Sequence, residues 1–297
     1  VLTRRRFLKG LLGVTLAGLF ASAYGFFVEP ALRLRVRRWN LRLPGWRGAD
    51  LKIAILADIH VGEPWVGLDR LQRIVARTNA LGADLVLFLG DLEAGHRFVT
   101  AKVDLAKAAR LLGALHAPLG VHAILGNHDW WHDPAAQARG GGPARVGELL
   151  EAEGIGLLSN RAQRIDRDGG SFWLAGVEDQ LALIAGRGQF RGLDDLPGTL
   201  AQVGGDDPVI LMAHEPDIFP AVPDRVCLTL SGHTHGGQVR ILGWSPVVPS
   251  AFGNRFAYGP VREGARTLVV SGGIGCSILP VRFGVVPEIT LIEVGAA

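Results

Sequence analysis

Five short apolar runs in this 297-residue chain end in Asp, Asn or His, and those endings carry the residue types that could do chemistry. Asp58-Ile59-His60 follows the run 51–56, Gly90-Asp91 follows 84–89, and Gly126-Asn127-His128-Asp129 follows 120–125. His214 closes 208–213, and Gly232-His233-Thr234-His235 closes 226–231. Carboxylates and imidazoles are the side chains that hold divalent transition metals. In an extended chain residues i and i+2 share a face, so Asp58 and His60 are expected to point into one cavity, as are His233 and His235. Gly232, Gly236 and Gly237 keep bulk away and allow sharp turns. Any one of these residues reads alone as a core histidine or a polar loop; five coincident run ends do not.

The elements that must position them follow from periodicity. β-rich runs at 51–56, 84–90 and 120–126 alternate with helical patterns at 69–81, 104–115 and 145–154, which implies parallel βαβ units. The later runs 171–177, 208–214, 226–232, 266–272 and 288–294 come with few helices between them, which implies mixed or antiparallel pairing. Two sheets sharing one core, with helices outside, fit this order. Sites in such sheets gather at the carboxyl ends of the strands, where the five endings stand.

The ordered set Asp58-x-His60, Gly90-Asp91, Gly126-Asn127-His128-Asp129, His214 and Gly232-His233-x-His235 resembles the calcineurin-like metallophosphoesterase superfamily over roughly residues 51–294. The resemblance implies an α/β fold, a four-layer α/β/β/α sandwich with two mixed β-sheets. It also implies two divalent metal ions, with Mn²⁺, Zn²⁺, Fe and Ni²⁺ all suited to a mixed oxygen and imidazole shell. By the same resemblance Asp58, His60, Asp91 and His235 hold one ion, while Asp91, Asn127, His214 and His233 hold the second, with Asp91 bridging. The two carboxylates neutralise about half of the ions' charge, leaving about +2 to attract a phosphate. A water shared by ions ~3.5–4 Å apart is acidified and becomes the nucleophile on phosphorus. His128 is placed by resemblance near the leaving oxygen, with Asp129 expected to orient it.

A finer resemblance, carried by residues 212–220, 230–240 and 279–294, is to the membrane-associated bacterial phosphodiesterases of this superfamily that are exported in folded form. Some members of that branch cleave the pyrophosphate of UDP-diacylglucosamine, so a lipid-linked or UDP-sugar phosphoester is the expected substrate. The branch usually reads Gly-Asp-Leu-x-Asp, and this chain has Ala94 at the last position.

The beginning of the chain reads as an address. Thr3-Arg4-Arg5-Arg6-Phe7-Leu8-Lys9 resembles the twin-arginine export signal, which makes the Tat machinery an expected partner. A charge-free run from Gly10 to Val28 follows, near the ~20 residues that span a bilayer. Ala21-Ser22-Ala23 offers a cleavage site, so residues 1–29 are expected as signal or retained anchor. Residues 30–48 are expected as a basic juxtamembrane segment and 49–297 as the phosphoesterase domain, on the outer side of the cytoplasmic membrane. Leu32, Leu34 and Val36 alternate with Arg33, Arg35 and Arg37, the pattern of a half-buried edge strand whose basic face is solvated or leans on lipid headgroups.

Residues 1–48 hold ten Lys and Arg against one acid, whereas residues 49–297 hold 21 basic and 27 acidic residues. An acidic body lacks the basic surface that a non-specific nucleic-acid binder needs, which counts against a nuclease. A non-catalytic scaffold of the same fold should have lost ligands, and none is missing. His214-Glu215-Pro216-Asp217-Ile218 begins like a zinc-protease motif but ends in isoleucine, with a proline against the required helix. No phosphate-binding P-loop and no Gly-x-Ser-x-Gly elbow occurs. Trp65, Trp130 and Trp131 follow strand ends and either wall a substrate mouth or pack loops. Arg282 either meets a phosphate oxygen or forms a structural salt bridge. Cys227 and Cys276 are expected as buried free thiols.

Overall fold

The computed structural model describes residues 3–297; the first two residues of the expected export segment lie outside the described residues. In chain order the strands are β1 (Arg35–Leu43), β2 (Leu51–Leu56), β3 (Leu85–Phe88), β4 (Val121–Ala123), β5 (Gly156–Leu157), β6 (Arg161–Ile165) and β7 (Phe172–Gly176). They continue as β8 (Leu183–Gly186), β9 (Gln189–Arg191), β10 (Val209–Met212), β11 (Val226–Ser231), β12 (Gly259–Glu263), β13 (Arg266–Val270) and β14 (Glu288–Ala296). One six-stranded sheet has the order β1-β14-β2-β3-β4-β5, with β14 and β2 antiparallel and the other neighbours parallel. The other has the order β12-β13-β11-β10-β7-β6 and is antiparallel only at its two edges. β8 and β9 form a separate hairpin.

Strand alternation decides what lies between the layers. Leu51, Ile53 and Ile55 of β2 pack between the sheets with Ile210 and Met212 of β10 and Leu228 and Leu230 of β11. Ala54 and Leu56 face the opposite way, toward Leu71 and Ile74 of the helix Leu68–Asn79 and Leu105 and Leu112 of the helix Leu105–Leu112. On the far side of the second sheet, Val209 and Leu211 meet Leu196, Ile218 and Phe219 from a short helix and a 3-10 turn. Burying each such aliphatic side chain stabilises the fold by roughly 1.5–3 kcal/mol. Helices, two mixed sheets and a thinner helical layer make the expected α/β/β/α sandwich.

The helix Arg145–Ala152 ends as its sequence predicts. Gly154 is left-handed at φ 80°, and the Ile155 and Gly154 N–H groups close back on the Leu150 and Glu151 carbonyls.

The α-helix Arg4–Ala23, a π-helical turn Tyr24–Val28 and the turn Glu29–Leu32 form one continuous 29-residue element, long and apolar enough to cross a membrane by length and composition. No residue of Arg4–Ala23 is buried, but the end of the element is seated on the body. Arg282 N–H donates to the Gly25 carbonyl at 2.9 Å, and Trp65 Nε1 donates to the Phe26 carbonyl at 3.1 Å. Arg70 donates to the Pro30 carbonyl.

Two expectations for the basic stretch are corrected. The strand begins at Arg35 rather than Leu32, because Pro30 sits in the first turn of Glu29–Leu32, where proline is tolerated, and the helical path runs on to Leu32. Arg35 is not a solvated charge: it forms a 2.9 Å ion pair with the buried Glu288 and bonds Tyr258 Oη at 2.7 Å. β1 is the edge strand expected, paired along its length with β14.

Candidate metal centre

Five strand ends from both sheets deliver the site: Asp58 and His60 beyond β2, Asp91 beyond β3, Asn127 and His128 beyond β4, His214 beyond β10, and His233 and His235 beyond β11. All are buried except His128 and His233, which are half-buried. Their convergence is not produced by extended alternation. Asp58, His60, Asp91, His233 and His235 all have left-handed backbones, with φ of 51°, 46°, 63°, 65° and 51°. Asp, Asn and His visit this region more readily than most side chains, yet each costs on the order of 1–3 kcal/mol held there. Strain pooled at five chemical residues marks a site for which packing elsewhere compensates.

Two groups of candidate ligand atoms result. His60 Nε2 lies 3.1 Å from His235 Nε2, and Asp58 Oδ1 lies 3.6 Å from His235 Nε2. His233 Nδ1 lies 3.0 Å from Asn127 Oδ1. Asp91 Oδ2 stands between the groups, 3.5 Å from His60 Nε2 and 3.3 Å from His214 Nε2. The imidazoles are aimed from behind: His60 Nδ1 meets the Glu93 carbonyl at 3.0 Å and His214 Nδ1 the Leu89 carbonyl at 2.6 Å. Such partners orient metal-ligating histidines. Gly126 is required here, since a Cβ on it would stand 2.5 Å from Asp91 Oδ1 and 2.6 Å from the His214 ring.

The residues fit a pair of cations. Asp58 Oδ2 and His214 Nε2 are buried without any hydrogen-bond partner, although buried polar atoms are nearly always paired. Burial pushes the Asp58 carboxyl up to about 7 and the His60 imidazole down to about 4. Burial opposes a charge on His214 as well, but the carboxylates of Asp91, Glu215 and Asp58 outweigh it and raise its pKa. A cation shared by these groups removes the penalty of burying carboxylates without a counter-charge.

Beside the cluster runs a groove of about 420 Å³ with largely apolar walls. His128 opens into it, with its Nε2 3.2 Å from Ser277 Oγ and its Nδ1 unpartnered. Trp131 lines the groove as a mouth residue; Trp130 instead is buried with Nε1 on Glu178, and Trp65 holds the N-terminal element. Ala94 is buried and makes no side-chain contribution to the cluster.

Asp129 does not orient His128. Its carboxylate accepts from the N–H groups of Asp91 and Leu92 at 2.8 Å each and of Gly126 at 3.0 Å, so it staples the loops beyond β3 and β4 together. Asp129→Ala would leave three buried donors unmatched and is expected to cost about 3 kcal/mol or more. Urea unfolding that shows no such loss would overturn the staple.

Arg282 takes neither role considered for it. Fully buried, it donates to the carbonyls of Gly272, Gly275 and Val285 and sets Nη2 3.1 Å from His235 Nδ1, fixing that ring. Two carboxyls were not visible from the motif. Glu215 Oε1 lies 3.8 Å from His233 Nδ1 and, with His214 and His233, could itself contribute a ligand. Asp179 is fully buried, and burial followed by the neighbouring Glu215 raises its pKa well above the ordinary carboxylate value. The strand-end rule applied to β7 would have found Asp179; Glu215 was read only as part of a failed protease motif.

A sandwich of two mixed sheets with pooled carboxylates and imidazoles at its strand ends defines a metal-dependent phosphoesterase. The chain belongs to the calcineurin-like phosphoesterase family, which it matches over residues 51–237. It is 30% identical to the uncharacterized metallophosphoesterase YkuE of Bacillus subtilis, over 98% of this chain and 96% of that one. It is 28% identical to the phosphodiesterase YaeI of Escherichia coli, over 99% of each chain. A zebrafish transmembrane protein with a metallophosphoesterase domain is 34% identical over 82% of this chain and 52% of its own, so this chain spans about half of that relative's length.

Proposed function

We propose that this phosphoesterase hydrolyses a phosphodiester or pyrophosphate bond with two divalent cations, at the outer face of the membrane that its N-terminal helix crosses. The observation that carries it is the pooling of Asp58, His60, Asp91, Asn127, His214, His233 and His235 at the end of one groove, with two buried ligand atoms unpartnered. Asp58, His60, Asp91 and His235 would hold one cation, and Asp91, Asn127, His214 and His233 the other. When bound, the pair would supply an acidified water and neutralise charge developing on the phosphoryl group. His128, on the groove wall, donates a hydrogen bond to the leaving oxygen, and Arg282 keeps the His235 ring in place. The apolar walls exclude water and suit a substrate with a lipid or sugar-linked body beside its phosphate.

The outer placement is supported by Arg4, Arg5, Arg6 and Lys9 just before the apolar helix, the pattern of an export signal. The same residues serve as the twin-arginine signal for the Tat machinery. Among the described residues no Lys or Arg lines the groove, which disfavours a nucleic-acid backbone.

Purified protein reconstituted with Mn²⁺ should hold two equivalents and cleave bis-p-nitrophenyl phosphate, with loss on chelation; no metal-dependent cleavage would refute the reading. Because Asp58 keeps its proton up to about 7, that proton competes with the cation. The apparent Mn²⁺ affinity is therefore expected to weaken at least tenfold per pH unit below about 7, since the proton that Asp91, Glu215 and Asp58 hold on His214 must leave as well. A pH-independent calorimetric titration between 5.5 and 7 would contradict this displacement of protons.

A further inference from the structure

Outside residues 3–32 the described residues include eleven large apolar side chains that are exposed, and eight of them fall in two adjoining loops, 241–252 and 278–283. Leu242, Ile278 and Val247 are 103%, 80% and 72% exposed, and Ile241, Trp244 and Leu279 accompany them. An exposed apolar cluster of this density marks an interaction surface.

The fold fixes what that surface meets. Gly25 packs against Val281 and the Arg282 main chain, and the Tyr24 ring lies edge-on to Phe283 with centroids 6.1 Å apart. On its other side the 279–283 segment bonds to the base of the first loop: Arg240 N–H to the Phe283 carbonyl at 2.8 Å and Phe283 N–H to the Gln238 carbonyl at 2.9 Å. The 19-residue charge-free run Gly10–Val28 rises about 29 Å, close to the thickness of a hydrocarbon core, so Tyr24 and Gly25, near its end, emerge at the bilayer surface. Whatever is bonded to them emerges there too. Val247, Ile278 and Leu279 also line the groove beside His128 and His233, so the apolar rim runs without a break into the catalytic groove.

We infer that the loops 241–252 and 278–283 insert their apolar side chains into the lipid leaflet beside the N-terminal helix, and that the groove takes an amphiphilic phosphoester directly from that leaflet. The inference rests on the proposed membrane crossing and supplies the substrate class of the proposed reaction: a phosphoester carrying an apolar chain. The chain lies along Val247, Ile278 and Leu279 while the phosphate reaches the ligand cluster.

The test uses the full chain in phosphatidylcholine–phosphatidylglycerol vesicles. Cys227 and Cys276 are buried, so a cysteine introduced on the surface can be labelled alone with an environment-sensitive fluorophore. A label at Leu242→Cys should emit to the blue and be quenched several-fold more by spin-labelled lipid than one at Asp206→Cys, exposed at the opposite end of β10. Equal quenching at the two positions would overturn the insertion. In the same vesicles Ile241→Asp with Trp244→Asp should leave bis-p-nitrophenyl phosphate hydrolysis unchanged. The double variant should slow hydrolysis of a p-nitrophenyl phosphodiester bearing a long acyl chain tenfold or more. Equal effects on both substrates, or none on either, would overturn entry from the leaflet. Failure of the unaltered protein to cleave either substrate would refute the hydrolytic reading while the label result stood.

Discussion

Asp91→Asn is expected to empty the centre of at least one cation and to lower kcat/KM more than any other single change considered. Asp91 is the carboxylate proposed to bridge the two groups of ligand atoms, 3.5 Å from His60 Nε2 and 3.3 Å from His214 Nε2. Asparagine keeps the shape, and its carbonyl oxygen can still accept from His128 N–H, which Asp91 Oδ1 does at 2.8 Å. What it removes is one of only two negative charges that the proposed ligand set offers to two dications. Loss of a partner behind a ligand already costs about 10–100-fold in metal affinity, so loss of the shared ligand itself should exceed ~100-fold. Metal analysis after gel filtration should find one equivalent or fewer in place of two. Two retained equivalents, with turnover intact, would remove Asp91 from the bridging position.

His128→Ala should do the reverse, keeping both cations and losing turnover. The ring faces the groove, and its only side-chain hydrogen bond is to Ser277 Oγ. Burial pushes its pKa down to about 3, so at neutral pH the ring is uncharged and offers an N–H to the leaving oxygen without drawing the anion from the cations. Removing a group in that role typically lowers the rate ~10²–10⁴-fold. The loss should be steep for an alkyl leaving group and shallow for p-nitrophenolate, which needs little help to depart. An equal loss on both would mean that the substitution disturbed the fold or the ligands instead.

The sandwich and the cluster of residues at its strand ends were readable because both rest on local patterns. Apolar runs specified the central strands to within a few residues, though not β5, β6, β8, β9 or β12, and the polar residue after each run marked the cluster, since a parallel sheet brings its carboxyl ends together. The left-handed turns that aim the ligands were not readable: nothing in His233-Thr234-His235 distinguishes φ near 60° from an extended chain, and extension gave the right convergence for the wrong reason. Long-range partners were equally hidden. Asp129 sits next to His128 in sequence, which suggested a dyad, yet its three donors come from residues 91, 92 and 126. Arg282 lies 47 positions from the His235 ring that it holds. Residues 32–34 misled because period-2 alternation persists into a turn whose helical path is set by Pro30.

The joint between the exposed helix and the body has a bearing on maturation. Gly25, Phe26 and Pro30, which make the main-chain bonds to Arg282, Trp65 and Arg70, all lie after the small-residue triplet Ala21-Ser22-Ala23. A signal peptidase cutting there would discard the exposed span and leave the plug in its socket. Tethered and shed forms would then carry the same catalytic body, with the shed form still presenting a greasy face to the next membrane it meets.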